Sequence, residues 1–150
     1  MSSPAAEPGF EAPDPPSGMY YLDSSVGVRI ILGQSPSAAA WFDHATSDDT
    51  SMVVSSRLLR TEITRVLRRE GLPVSERDKL LSYIGTIPLD HAVLNEAEAI
   101  VPHLRSLDAI HLASAVRSGL EDLIIVTHDQ AMRDVAEQIG FRTYDPVAYP

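Results

Sequence analysis

Four acidic residues in this chain stand where carboxylates can do chemistry: Asp23, Glu62, Asp108 and Asp129. Asp23 closes the run Tyr21-Leu22-Asp23, and Asp129 follows Val126-Thr127-His128, so each lies just past an apolar, strand-like segment. Glu62 belongs to an amphipathic helical run. At about 100° per residue, Leu58, Leu59, Ile63 and Val66 form its buried stripe. Glu62 falls within the edge of that stripe, away from the face carrying Arg57, Arg60 and Arg68. Asp108 falls in the first turn of a later helix, with Ser106 as its cap and Leu112, Ala115 and Val116 following on the packed side. Half-buried carboxylates without a matching buried lysine repel one another, and a divalent cation relieves that repulsion. An all-oxygen donor set selects Mg²⁺ or Mn²⁺ over zinc or copper. Such a site suits hydrolysis of a phosphodiester: the cation orients the phosphate, offsets developing charge and acidifies a water, whose proton an ionised carboxylate accepts.

Each acid also has a structural reading. Asp23 and Asp129 can cap the helices that follow them. Glu62 can pair with Arg65 or Arg69 on its own helix. Asp108 can simply answer the helix dipole. The histidines form no metal pattern: His91, His103, His111 and His128 sit in unlike contexts, and His44 is expected at the surface. His111 is within one turn of Asp108, which leaves a supporting role open.

The elements that must position these acids alternate in type. Strands are expected at Met19–Asp23, Met52–Ser55, Thr86–Leu89, Leu123–Val126 and Arg142–Tyr144, with Pro88 confining the third to an edge. Helices are expected at Ser24–Leu32, Pro36–Thr46 (capped by Ser35), Arg57–Glu70 (stopped by Gly71), Ser75–Ile84, His91–Val101, Leu107–Ser118 and Gln130–Ile139. Strands separated by helices predict an α/β fold with a mostly parallel central sheet covered on both faces. In such sheets the site lies at the C-terminal ends of the strands, where Asp23 and Asp129 stand.

The chain's 150 residues suit one domain with a real core. Residues 1–18 hold five of the eleven prolines and are expected to form a flexible extension, with the folded domain spanning 19–150 and Met19 as an alternative start. No apolar run reaches the ~20 residues of a membrane span, and no secretory signal is evident. With no cysteine, disulfides and thiolate metal sites are excluded and a cytoplasmic location is expected. The net charge of −9 argues against a general nucleic-acid binder, but carboxylates gathered in a metal site count as surplus charge until the metal binds. Lys79 is the sole lysine, so every other base is an arginine, a residue suited to bidentate phosphate contacts.

The run Leu104-Arg105-Ser106-Leu107-Asp108-Ala109-Ile110-His111-Leu112-Ala113 closely resembles the central motif of VapC-type PIN domains. Tyr21-Leu22-Asp23-Ser24-Ser25 is similar to their opening strand, Glu62 to their helical glutamate, and Thr127-His128-Asp129 to their closing Thr-x-Asp. The order and spacing hold from residue 19 to about 147. The resemblance implies a PIN-like three-layer α/β/α fold and a Mg²⁺- or Mn²⁺-dependent endoribonuclease, the toxin of a type II toxin–antitoxin pair. Asp23, Glu62, Asp108 and Asp129 would be its acidic, metal-binding quartet, with Ser25 and Thr127 as supporting hydroxyls. It further implies a VapB-type antitoxin whose tail blocks the site with a basic side chain, and a homodimer, for which an apolar helix such as Ser75–Ile84 could supply an interface. Arg29, Arg65 and Arg69 are candidates to hold the flanking phosphates of the RNA.

Three other readings fit less well. A receiver-type signalling module would need a lysine after a late strand and paired acids after the first; Lys79 lies in a mid-chain helix, and Asp23 is followed by Ser24 and Ser25. A haloacid-type phosphatase would need an Asp-x-Asp motif. A catalytically silent RNA-binding PIN-like domain would have no use for an intact quartet.

Overall fold

The computed structural model describes residues 18–148. The Pro-rich segment assigned to an extension lies, apart from Gly18, outside the described residues. Five strands form one sheet: β1 (Met19–Leu22), β2 (Met52–Ser56), β3 (Gly85–Ile87), β4 (Ile124–Val126) and β5 (Arg142–Tyr144). Their order is β3-β2-β1-β4-β5, and all four pairings are parallel. The sheet is thus wholly parallel rather than mostly so.

Among the described residues seven α-helices cover it: α1 (Ser24–Ile31), α2 (Pro36–Ser47), α3 (Arg57–Glu70), α4 (Asp78–Leu81), α5 (His91–Ala99), α6 (Ser106–Arg117) and α7 (Gln130–Gln138). The twofold period of the strands divides the core. Tyr20, Leu22, Val53, Ile124 and Val126 face one way and pack with Trp41 and Phe42 of α2 and Leu59, Ile63 and Leu67 of α3. Tyr21, Val54 and Ile125 face the other way and pack with Leu112 of α6 and Met132 and Val135 of α7. Burial on both faces is why these strands read as unbroken apolar runs. Buried Gly27 of α1 faces Leu59 of α3 and Leu80.

Most boundaries follow local chemistry. Ser35 caps α2 by accepting from the Ala38 N–H, 3.1 Å away. Gly71 ends α3 in the left-handed region (φ 68°), and the Leu72 N–H closes the turn on Leu67 O. Five expectations need correction. The helix expected over Ser75–Ile84 is a 3-10 turn (Val74–Arg77) followed by the single α turn of α4, because Leu80 alone is deeply buried to anchor it. α5 stops at Ala99, not Val101: Ile100 is extended, Val101 is 92% exposed, and Pro102 disfavours the helical region for the residue before it. Ser106 is the first helical residue of α6, and Arg105 occupies the cap position without a side-chain hydrogen bond. Val116, expected on the packed side of α6, is 38% exposed. In α3 Leu67 completes the buried stripe; Leu58 and Val66 are only partly covered.

Candidate functional site

The strand order reverses direction between β1 and β4: the chain builds outward through β2 and β3, then crosses to β4 and β5 on the other side. In parallel sheets this reversal opens a crevice past the C-terminal ends of the two central strands. Asp23 and Thr127 are the first residues beyond those ends. The Asp23 N–H donates to Val126 O at 3.0 Å, which ties the two strand ends together.

Asp23 is 1% exposed. Its position matches an N-cap of α1, yet its side chain makes no cap hydrogen bond. Oδ2 instead accepts from Ser25 Oγ at 2.7 Å and Thr127 Oγ1 at 2.8 Å. The two hydroxyls are 3.2 Å apart, and they also receive the His128 and Asp129 N–H groups respectively. Oδ1 is buried without a protein partner. A buried carboxylate oxygen left so is costly unless something outside the chain satisfies it.

Asp129 serves two roles. Its Oδ1 caps α7 by accepting from the Met132 N–H at 3.1 Å, and its Oδ2 is 3.3 Å from Arg105 Nη2. Arg105 Nε also lies 3.4 Å from Asp108 Oδ2, so one guanidinium bridges two of the acids. Burial pushes the Asp108 carboxyl up, and the charges of Asp23 and Asp129 push it further; Arg105 offsets part of this. Three aspartates from β1, α6 and the β4–α7 turn therefore sense one another.

Glu62 comes in from the opposite layer. The alternative pairing with Arg65 or Arg69 does not form; Arg69 pairs with the adjacent Glu70 at 3.0 Å. Glu62 Oε1 instead lies 2.6 Å from His111 Nε2. His111 is fully buried, and its Nδ1 is 2.7 Å from the Tyr21 hydroxyl, which accepts from the Ser56 N–H at 3.2 Å. A carboxylate can only accept, so Nε2 carries a proton whether the imidazole is neutral or charged. Burial opposes the charged ring, but the hydrogen bond to Glu62 and the charges of Asp23, Glu62 and Asp108 outweigh it and hold the His111 pKa above its ordinary value. Burial also keeps the Tyr21 phenol protonated by pushing its pKa far up.

Hydrogen bonds and the Arg105 bridge link Asp23, Ser25, Thr127, Asp129 and Asp108, while Glu62 reaches His111, whose ring feels the charges of Asp23 and Asp108. Arg105 has no assigned role in the sequence reading, although its i, i+3 spacing to Asp108 is that of an ion pair on one helix face. Tyr21 and Ser56 were also missed, and nothing in their local spacing points to His111. Of the three candidate phosphate ligands, Arg29 is tied by Nη1 to Ser25 O at 2.7 Å, Arg69 pairs with Glu70, and Arg65 is exposed on α3. Among the described residues no group of three or more His, Asp or Glu side chains could hold a metal ion as they stand. Arg105 already occupies one oxygen each of Asp108 and Asp129.

The PIN domain family matches residues 20–138. Ribonuclease VapC47 of Mycobacterium tuberculosis (strain CDC 1551 / Oshkosh) is 35% identical over 135 residues, covering 87% of this chain and 98% of that protein. Ribonuclease VapC46 of Mycobacterium tuberculosis (strain ATCC 25618 / H37Rv) is 34% identical over 128 residues, covering 84% and 96%. Among solved structures, the fold is similar to VapBC2 from Rickettsia felis bound to a promoter DNA fragment (TM-score 0.64, 13% identity, 85% of this chain and 98% of that one). It is also similar to a toxin–antitoxin complex from Klebsiella pneumoniae (TM-score 0.63, 15% identity, 85% and 97%). The chain belongs to the PIN-domain family and, within it, to the VapC group.

Proposed function

We propose that this protein is a divalent-metal-dependent endoribonuclease, the toxin of a toxin–antitoxin pair, with Asp23, Glu62, Asp108 and Asp129 as its working acids. The observation that carries the reading is the Asp23 carboxylate: buried, anchored through Oδ2 by Ser25 and Thr127, and left with Oδ1 free at the crevice between β1 and β4. The donor chemistry fits a hard cation, since every candidate ligand is an oxygen. The four acids would hold it, and Arg105 would release Asp108 and Asp129 as it entered. Bound there, a divalent cation supplies charge neutralisation at the phosphodiester and a more acidic water.

The chain's own residues do the rest. Ser25 and Thr127 fix the rotamer of Asp23. His111 holds Glu62 toward the acids. One of these carboxylates, in its ionised form, is suited to take up the proton of the attacking water. Attack by an external water leaves a 5′-phosphate and a 3′-hydroxyl and does not need the ribose 2′-OH, so the choice of RNA rests on groove shape and contacts to looped bases.

The names of the relatives support ribonuclease activity, and the assemblies named in the similar structures support a VapB-type antitoxin as partner. Among the described residues no helix is long and apolar enough to cross a membrane. One observation favours the silent RNA-binding alternative: the acids do not close on a single point as they stand. Incubation of the full chain with total cellular RNA, with Mg²⁺ or with EDTA, separates the two. Cleavage that needs Mg²⁺ and is lost in Asp23→Asn supports the nuclease; binding without cleavage in every condition supports the silent domain.

A further inference from the structure

Away from the acids, one surface is built from arginines. Two adjoining cavities, of about 330 and 220 Å³, are both lined by Arg57, Arg60 and Arg77, and the smaller adds Arg65. Among the described residues none of these four guanidiniums has a carboxylate within ion-pairing distance. Two donate to neutral hydroxyls instead: Arg57 Nη1 to Thr61 Oγ1 at 3.2 Å, and Arg77 Nη1 to Thr64 Oγ1 at 2.9 Å. The one acid in the lining, exposed Asp78, pairs with none of them. Elsewhere Arg69, Lys79, Arg105 and Arg133 each sit on a carboxylate. Arg29, Arg68, Arg117 and Arg142 also have no carboxylate within ion-pairing distance among the described residues, but here four such arginines line adjoining cavities, which in a chain of net charge −9 is a local reversal of charge. Crowding Arg57 and Arg60 on one helix face costs stability in the free protein, and a bound polyanion would recover it.

The groove is also well placed. Ser56 lines it, and Ser56 caps α3 at the C-terminal end of β2, next to the crevice that holds Asp23. Its N–H leads through Tyr21 and His111 to Glu62. Arg57 and Arg65 are eight residues apart on α3, about 12 Å along its axis, which is more than one phosphate spans. Glu62 lies between them on the flank of the same helix.

We infer that this groove is a phosphate track, holding the single-stranded backbone of the RNA on one side of the acidic site; the inference rests on the ribonuclease reading. It reassigns the phosphate contacts to Arg57, Arg60, Arg65 and Arg77, keeping only Arg65 of the three arginines that sequence reasoning chose.

The test uses the full chain carrying Asp23→Asn, so that RNA binds without being cut, and a labelled oligouridylate of about 16 nucleotides. Arg60 and Arg65 are exposed and make no contact that holds the fold, so Arg60→Gln with Arg65→Gln should leave the fold intact, with a thermal melt that holds or rises slightly as the crowding with Arg57 is relieved. In single strands each lost phosphate contact removes about 0.7 from the slope of log K against log salt. The pair should therefore lower the slope by about 1.4 and weaken binding at low salt by ~10-fold or more. Arg117→Gln with Arg142→Gln makes the same change in net charge elsewhere and should leave the slope unaltered. Arg60→Lys with Arg65→Lys should keep most of it. Equal slopes for groove and control pairs would overturn the inference, as would competition for the groove by oligoglutamate with no dependence of RNA binding on it, the result expected of an acidic protein partner. If the wild type cuts RNA with Mg²⁺ and the slopes are equal, the track alone fails. If the wild type never cuts but the groove pair binds more weakly, the nuclease reading fails and the track stands.

Discussion

Nε2 of His111 lies 2.6 Å from Oε1 of Glu62, and this bond joins two helices that pack on opposite faces of the sheet. α3 and α6 can meet there only past the C-terminal end of β2, where the sheet no longer separates them. His111 thereby sets where the fourth acid stands. Replacing it with Phe keeps an aromatic ring there but strands Tyr21 and Glu62. The expected cost is about 1–3 kcal/mol in a denaturant melt. Metal affinity should also fall by about 10–100-fold, as for the loss of other outer partners of a ligand. A Mn²⁺ titration followed by electron paramagnetic resonance reads this directly, and unchanged affinity would remove His111 from the site.

Asp108→Asn should abolish RNA cleavage and leave the fold intact. Burial and the charges of Asp23 and Asp129 raise the Asp108 pKa, so a neutral amide relieves strain in the metal-free protein, and its melting temperature should hold or rise. Wild-type cleavage by this variant would sink the quartet.

Chelation should silence the enzyme, and Mg²⁺ or Mn²⁺ should restore it, with zinc failing as a simple substitute. Because the ion binds the folded chain, it should also raise the melting temperature, equivalent to about 2.7 kcal/mol at a hundredfold excess over Kd. Glu62→Gln should weaken the charge-assisted bond to His111, melt no higher than wild type without metal, and gain less from Mg²⁺. An equal Mg²⁺ shift in both proteins, with cleavage retained, would leave Glu62 a structural partner of His111.

The turn from α2 into β2 carries a pH dependence of its own. Asp48 accepts from the Thr50 N–H and Thr50 Oγ1, with Ser51 Oγ as a further donor, and these bonds lower its pKa. A carboxyl whose folded pKa is depressed stabilises the fold above its unfolded value of about 3.9 and loses that contribution as the pH falls through the folded value. Asp48→Asn should therefore be less stable than wild type at neutral pH, and the gap should close below pH ~4. Thermal melts across that range check the sign; a gap that stays constant would contradict it.

Removal of residues 1–18 should leave cleavage unchanged. The family match begins at residue 20, and the first strand at Met19. A folded, truncated protein with much weaker cleavage would show that the segment completes the site.

How much of this could be read without coordinates depended on whether the cause was local. Asp23 and Asp129 were legible because a strand end followed by an acid is a local pattern, and the parallel α/β topology carries both to one edge. The caps at Ser35 and Gly71 were legible for the same reason. Glu62 was singled out by its angle on α3, but its partner was not, because a helix wheel shows only neighbours on the same helix and His111 is 49 residues away. The two aspartate caps show the limit most clearly. In sequence they are alike, yet Asp129 caps α7 while Asp23 turns to Ser25 and Thr127, a choice set by a hydroxyl 104 residues distant. The arginine groove follows the same rule. The arginines were countable in the chain, but whether each finds a carboxylate is decided by packing, since pairing needs side chains brought within about 4 Å and only the fold does that.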